Sequence, residues 1–540
     1  MWDDNNDLKI SIIDLGYNSI KLANYQVKRG LLYKAYLQEG IKVKAGDDLI
    51  TTGNIARKSI HRTVDALKMF RDIIKFESIE HVIPVATSAV REAGNREKLL
   101  KELKEETGFQ FRVLSEEEEA LYSYMGALNS TCIPTSLFFD LGGGSLEIVY
   151  TENFNVKKLV SLPLGVLKLS QKYGISDSQY TMFDKKDYEK MKDYVIKNLP
   201  SRKDLNLSPD TSLIGVGGTL RAIARYDQEV SKYVLHKIHN YRIDNKSVEL
   251  ITTHFSKMTI HELANIEAIG KDRAETITTG SCIIHLLMEK LRFDKIIVSS
   301  QGLREGVLLS FLNSKKFSMS LDQIQNSIRF SCQLEKLPRF GRNFVLSLLS
   351  TGLFKEREYE ILVIALKQIS ELPYVTNIHN LFYMIIDDDN KYLTHGEQLV
   401  LALSIVYTRK VKTANWLFEI YKSILQPQNK QSIEKIAACI TLISILQRNR
   451  CKVNVKNSSK KEIVVDINIG TSKHQFQHIL LDGAIKKTED VFDISIDYSI
   501  SFENVASNSD NNNFNINNNI LLMKMRSNNN YNNNNNNKKR

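Results

Sequence analysis

Apolar and polar positions along the chain fall into distinct regimes. From about residue 8 to 312, short apolar runs alternate with amphipathic stretches. "KISIIDLGYNSIKLANYQV" reads as a strand, a glycine turn and a second strand, and "SLFFDLGGGSLEIVYTEN" repeats that plan. "HVIPVATSAV" reads as a strand running into a helical stretch at "REAGNREKLLKELKEETG". "TSLIGVGGTLRAIARYD" and "FDKIIVSSQGLREGVLLSFL" each give a strand, a turn and a helix. This alternation predicts an α/β fold with mixed sheets. From about 314 to 450 the strands disappear and a helical period takes over, as in "EREYEILVIALKQISEL" and "THGEQLVLALSIVYTRK". From 462 to 502 short alternating segments return ("EIVVDIN", "HQFQHILLDG", "FDISIDYSISF") and predict a small β-containing unit. Beyond 504 the chain is mostly asparagine, which cannot bury enough apolar surface to offset its ordering entropy, so disorder is expected.

One helix start stands out. In "RVLSEEEEALYSYMGAL" four glutamates follow Ser115, which can N-cap the helix with Glu118 closing a capping box. Carboxylates there also suit the positive end of the helix dipole. That accounts for the run as a solvated first turn, except for its last member. At ~100° per residue Glu119 shares a face with Tyr122, Ser123 and Gly126, while Leu121, Tyr124, Met125 and Leu128 form the apolar stripe. A glutamate on such a mixed face can look into a cleft.

Composition narrows the class without choosing a function. A chain of 540 residues has room for about three to four domains. Its 42% apolar and 25% charged residues are ordinary for a soluble globular protein. The acidic, polar start "MWDDNNDLKI" is not a secretory leader, and no apolar run approaches the ~20 residues a membrane helix needs. Five scattered cysteines without a CxxC argue against a disulfide framework or zinc site. A cytoplasmic location without membrane attachment is expected. The net charge of +11 favours polyanionic partners but does not select among them.

The candidate chemistry lies in "IIDLGYNSIKL" and "FFDLGGGSLEI". Each has an apolar strand, Asp-Leu-Gly, a turn of small or polar residues, and a second strand. Glycines let backbone N–H groups approach an anion closely, and serine or asparagine side chains add donors. An aspartate at the strand end suits a hard cation or its water. One such turn is usually only a hairpin. Two copies about a domain apart, with a third glycine turn at "GVGGT", suggest duplicated lobes closing over a phosphorylated ligand.

These turns resemble those of the actin, hexokinase and Hsp70 superfamily. "VATSAVREAGN", "VLSEEEEALYSYMGAL", "FDLGGGSLEI", "SLPLGV", "IGVGGT" and "SSQGLREGVLL", in this order, resemble the exopolyphosphatase and guanosine pentaphosphate phosphohydrolase (Ppx/GppA) family. The resemblance covers roughly residues 8 to 312. It implies two ribonuclease-H-like, actin-type α/β lobes. The helical region that follows resembles the all-helical HD-like domain of longer family members, and the small C-terminal β-containing domain is the one that the alternating segments predict. The boundaries expected are 1–130, 131–312, 313–452 and 453–505, with an asparagine-rich tail at 506–540.

The family's catalytic base falls on Glu119, which would take a proton from the attacking water; a glutamate near its reference pKa is ionised at pH 7. The resemblance further implies Mg2+ near Asp140 and Glu147, with Asp14 holding a metal-bound water. Gly142, Gly143, Gly144 and Ser145 would cradle the phosphoryl group. Asn18, Ser19, Arg91, Gly217, Gly218 and Thr219 would contribute from the facing walls. The implied substrate is inorganic polyphosphate or guanosine pentaphosphate, and family analogy points to a homodimer.

The chain departs from the family pattern at several places. Tyr17 replaces a serine of the first turn, Leu121 stands where arginine is frequent and Leu146 where threonine is common. In the HD-like stretch Lys367 and Gln368 occupy the place of the metal-binding His-Asp pair, and Thr408 that of a histidine, so no HD hydrolase activity is expected. His379 and His395 read as core or surface residues. "SIRFSCQLEKLPRFGRNFVL" mixes basic and aromatic residues, but without a nucleic-acid-binding fold it reads as a polyphosphate-facing or plain surface. A non-catalytic regulator that binds polyphosphate or nucleotide is the alternative from another class.

Overall fold

The computed structural model describes residues 8–28, 32–174, 184–314, 341–371, 377–387, 393–469 and 478–502. The asparagine-rich tail and the basic-aromatic stretch up to residue 340 lie outside the described residues. The chain forms two compact units, one holding residues up to 333 with 391–394, the other the remainder.

The first unit contains two sheets built on the same plan. In the first, β1 (Leu8–Leu15), β2 (Ser19–Lys28), β3 (Leu32–Lys42), β4 (His81–Ala86) and β5 (Arg112–Val113) lie in the order β3-β2-β1-β4-β5. The β1, β2 and β3 strands form an antiparallel meander, and β4 and β5 add parallel. The second sheet has β6 (Ser136–Leu141), β7 (Leu146–Glu152), β8 (Asn155–Leu162), β9 (Ser212–Val216), β10 (Arg242–Asp244) and β11 (Lys295–Val298), in the order β10-β11-β9-β6-β7-β8. Again a meander, β8-β7-β6, is extended in parallel by β9 and β11, and β10 closes the edge antiparallel. The duplication reaches the residue level. Gly16 N–H donates to Ser19 O and Gly142 N–H to Ser145 O, both at 3.0 Å.

Between the sheets lie the helices Glu116–Thr131 and Leu303–Ser314. Their side chains share a core with Ile10 and Ile12 of the first sheet and Phe138 and Ile214 of the second. Every residue from Ala120 to Thr131 is buried, so the helix has no solvated face beyond its first turn. Gly126 does not open onto a cleft. A Cβ there would stand 2.0 Å from Gly302 O, and one on Gly306 would stand 1.8 Å from Tyr122 O. These two glycines let the helices cross with their backbones nearly touching. The outer faces of the two sheets carry separate helix-covered cores.

In the second unit the described residues between Arg342 and Arg448 are mainly helical, and a small sheet follows, β12 (Lys452–Ser458), β13 (Glu462–Ile469) and β14 (Ser495–Phe502), with β13 and β14 parallel. A parallel pair needs a crossover, and the helix His478–Phe492 supplies it. This corrects the reading of "HILLDG" as an alternating segment: Leu481, Ala484, Ile485, Thr488 and Phe492 are its buried residues, at helical spacing. Gln368 is buried, Lys367 is half-buried and the Thr408 hydroxyl donates to Ile405 O at 2.7 Å. His379 is exposed with its ring edge-on to Trp416, and His395 is buried. Among the described residues no helix is long and apolar enough to cross a membrane.

Candidate active site

Both glycine turns open onto one cavity of about 570 Å³ in the first unit. The turns bring their donors there by the same local chemistry. In the first, Asn18 O accepts from Val43 N–H at 3.1 Å and Lys44 N–H at 2.8 Å, which pins the turn against the chain leaving β3. In the second, Gly142 O and Gly143 O accept from Val166 N–H and Leu167 N–H, both at 3.0 Å, so the carbonyls point into the helix Val166–Tyr173. The amides of Tyr17, Asn18, Gly143 and Gly144 donate to no group among the described residues. Such uncommitted N–H groups make an anion nest. Gly217, at φ 123°, carries β9 into the helix Gly218–Val230, whose first-turn amides have no intrahelical acceptor.

The carboxylates come from strand ends and one helix start. Asp14 pairs with Lys21 across β1 and β2, and Asp140 pairs with Glu147 across β6 and β7 at the equivalent register. Glu119 enters from the first turn of its helix, where Ser115 Oγ accepts from Glu118 N–H at 3.1 Å and Glu118 Oε2 accepts from Ser115 N–H at 3.0 Å. Glu118 also pairs with Arg112, whereas Glu116 and Glu117 are exposed. The glutamate run therefore divides into two solvated members, one cap and one that lines the cavity.

Arg91 Nη1 donates to Glu119 Oε2 at 2.8 Å and to Leu114 O at 2.9 Å. Burial pushes the Glu119 carboxyl up to about 7 against the lowering effect of Arg91, with Asp140 and Asp14 adding repulsion. The expectation of an ordinary, fully ionised glutamate is thus corrected. Burial likewise raises Asp14, Asp140 and Glu147, the last also through Glu119 and Asp140. Among the described residues no three His, Cys, Asp or Glu side chains cluster closely enough to cage a metal alone. The donor set still fits Mg2+, which binds through one or two carboxylates and completes its shell with water and substrate phosphate oxygens. Buried carboxylates raised by mutual repulsion are the sites such a cation would relieve.

Of the residues expected at the site, Asp14, Asn18, Ser19, Glu119, Asp140, Gly142, Gly143, Ser145, Glu147, Gly217, Gly218 and Thr219 line the cavity. Arg91 does not; it stands behind Glu119, with Nη1 bonded to Glu119 and Leu114 O. Gly144 does not either; the Tyr17 ring and Ser88 Oγ pack against it. Leu121 and Leu146 are buried in the cores, and neither leucine lines the cavity.

Sequence reasoning missed a cationic wall. Lys21, Arg221, Arg273 and Arg304 also line the cavity. Burial and repulsion from Arg304 and Arg273 push Arg221 down to about 10. A Cβ on Gly218 would stand 2.8 Å from Arg273 Nη2, so a glycine at that helix start leaves room for the guanidinium. The signal was present in "SIKL", "GGTLR" and "GLREG", where each cation sits two to four residues from a turn glycine or serine.

Comparison with known proteins gives this arrangement a lineage. A bifunctional 3-dehydroquinate synthase/phosphatase of Fusobacterium nucleatum is 28% identical over 320 residues, 58% of this chain and 47% of that protein. The chain thus spans about half the length of that relative. Exopolyphosphatase 1 of Mycobacterium bovis is 23% identical over 329 residues, covering 60% of this chain and 94% of its own. The crystal structure of an exopolyphosphatase from Cytophaga hutchinsonii is similar at a TM-score of 0.53 and 26% identity, over 58% of this chain and 100% of that one. The two-sheet α/β architecture is that of the actin-like fold. The Ppx/GppA phosphatase family model matches residues 25–315, more than half of the chain, and the protein belongs to that family.

Proposed function

We propose that the protein is an Mg2+-dependent phosphoanhydride hydrolase that releases orthophosphate from the end of inorganic polyphosphate. The observation that carries this reading is Glu119, a carboxylate held at the edge of a cavity that both glycine turns line. Members of the family are phosphoanhydride hydrolases, which fits a water-activating glutamate.

In the mechanism we infer, the amides and side chains of Asn18, Ser19, Gly142, Gly143 and Ser145 hold the terminal phosphoryl group. Glu119 accepts a proton from a water as its oxygen attacks phosphorus opposite the bridging oxygen. The P–O bridge breaks, the electron pair leaves on the shortened chain, and orthophosphate carries the new oxygen. Arg91 keeps the Glu119 carboxylate oriented and favours its ionised form. Lys21, Arg221 and Arg304 attract the remaining negative chain. Asp140 and Glu147, with Asp14 nearby, would hold Mg2+, which would supply charge neutralisation for the phosphoryl transfer.

We read residues 1–130 and 131–312 as two lobes around this cleft, followed by an HD-like helical domain without the His-Asp pair and a small C-terminal domain. Lys367 and Gln368 support that reading of the helical part.

The test is orthophosphate release from long-chain polyphosphate and from guanosine pentaphosphate, assayed in parallel with Mg2+. Faster turnover of polyphosphate supports the proposal. Preference for guanosine pentaphosphate would reassign the substrate, and binding of polyphosphate without turnover of either would make the protein a regulator.

A further inference from the structure

The turn Gly142–Ser145 carries more anion-binding backbone than the cavity uses. Gly143 and Gly144 both have uncommitted amides among the described residues, yet Gly144 lies outside the cavity lining. The large Tyr17 side chain packs against both glycines, together with smaller contacts. A Cβ on Gly144 would stand 2.8 Å from both Tyr17 Cδ2 and Ser88 Oγ, and one on Gly143 would stand 3.0 Å from Leu167 Cδ1 and 3.1 Å from Tyr17 Cβ. On the other side, a Cβ on Gly46 would fall 1.9 to 2.3 Å from three ring atoms. The ring therefore fills a slot that only glycines leave open, and it is 4% exposed.

Packing holds the ring there rather than polar bonding. Among the described residues its buried hydroxyl has no hydrogen-bond partner, a cost that contacts elsewhere must offset. Lys168 Nζ stands 5.9 Å from the ring centroid and is itself paired with Glu92 at 2.7 Å. The ring comes from the turn after β1 and rests on the turn after β6, so one phosphate turn covers part of the other.

Resting on the reading of both turns as phosphoryl cradles, we propose that Tyr17 is a plug in the second cradle. Its ring keeps Gly144 from a bound phosphoryl group, so the side chain at position 17 sets how tightly the cleft holds inorganic phosphate. A cradle that is partly plugged grips the product less and lets it leave. The ring and not the hydroxyl carries the proposal, because the hydroxyl has no hydrogen-bond partner among the described residues.

The experiment is calorimetric titration of the full chain with inorganic phosphate in the presence of Mg2+, for wild type, Tyr17→Phe and Tyr17→Ser. Tyr17→Phe keeps the ring and should match wild type within about twofold. Tyr17→Ser should bind phosphate about tenfold more tightly, the return of roughly one charge-assisted N–H bond to the anion. If Tyr17→Ser does not fold, Tyr17→Leu, which fills the slot without reaching as far over Gly144, should show the same direction at smaller amplitude. Unchanged or weaker phosphate binding in the folded variants would overturn the plug. Phosphate binding is read without turnover, so an inactive wild type would remove the hydrolase reading while leaving this result interpretable.

Discussion

Arg91 and Glu119 form a 2.8 Å ion pair in which the arginine uses one nitrogen, Nη1, for both the carboxylate and the Leu114 carbonyl. Its Nε and Nη2 are buried with no hydrogen-bond partner among the described residues, so Nη1 alone makes these bonds. Because burial raises Glu119 and Arg91 lowers it, removing the arginine moves the carboxyl further above about 7. A base works only when deprotonated. The kcat/KM profile of the wild type should therefore fall below about pH 7, and that of Arg91→Met should begin to fall at a higher pH. An unchanged acidic limb in Arg91→Met would separate the arginine from the base.

Mg2+ should move the same limb the other way. A divalent cation near Asp140 and Glu147 adds positive charge within reach of Glu119 and favours its ionised form. Raising Mg2+ from limiting to saturating should shift the acidic limb to lower pH as well as raise the rate, and chelation should abolish phosphate release. A limb that stays fixed while the rate rises would place the metal away from the base.

The raised Glu119 also predicts a stability effect of opposite sign to activity. Between about pH 4.5 and 7 the folded protein holds a proton there that the unfolded chain releases, so this group lowers stability as pH rises through that window. Glutamine resembles the protonated form. Glu119→Gln should therefore be more stable than wild type at pH 8, by on the order of 1–3 kcal/mol without metal, and the two should converge near pH 5. Urea melts at the two pH values check this.

The crossing of the two central helices should be intolerant of one methyl group. Gly126→Ala and Gly306→Ala each drive a Cβ into backbone atoms about 2 Å away, which cannot rotate aside. Each should cost about 1–3 kcal/mol or more in chemical denaturation. Gly53→Ala, with nothing within 4 Å but φ 70°, separates backbone strain from packing and should cost less.

The cationic wall makes a prediction about chain length. Arg221→Gln removes one positive charge that faces the cavity while leaving Glu119 and the turns in place. KM for polyphosphate should rise about tenfold with little change in kcat, and the effect should shrink for the shortest chains. A fall in kcat with KM unchanged would instead place Arg221 in the transition state.

How much of this was legible in the sequence depended on whether a feature is local. The capping box at Ser115 and Glu118 spans four residues, and the two Asp-Leu-Gly turns carry their geometry in their own glycines. All were readable. The motif around Arg91 suggests a phosphate ligand but cannot show that its Nη1 also bonds Glu119 and Leu114 O. The helical-wheel argument placed Glu119 correctly at the cavity but for a partly mistaken reason, since Gly126 answers to a helix more than 170 residues later. The cationic wall was missed because Lys21, Arg221, Arg273 and Arg304 meet only after both sheets have formed. The C-terminal helix was obscured by the short alternating runs flanking it, although its buried positions follow a helical period.

The central claim is that Glu119 activates the water. Its most direct test is single-turnover phosphate release from polyphosphate by Glu119→Gln with Mg2+, alongside polyphosphate binding by the same variant. The account predicts binding within a few-fold of wild type and a rate at least ~10²-fold lower. Release at a rate near wild type would contradict it and move the base elsewhere in the cleft.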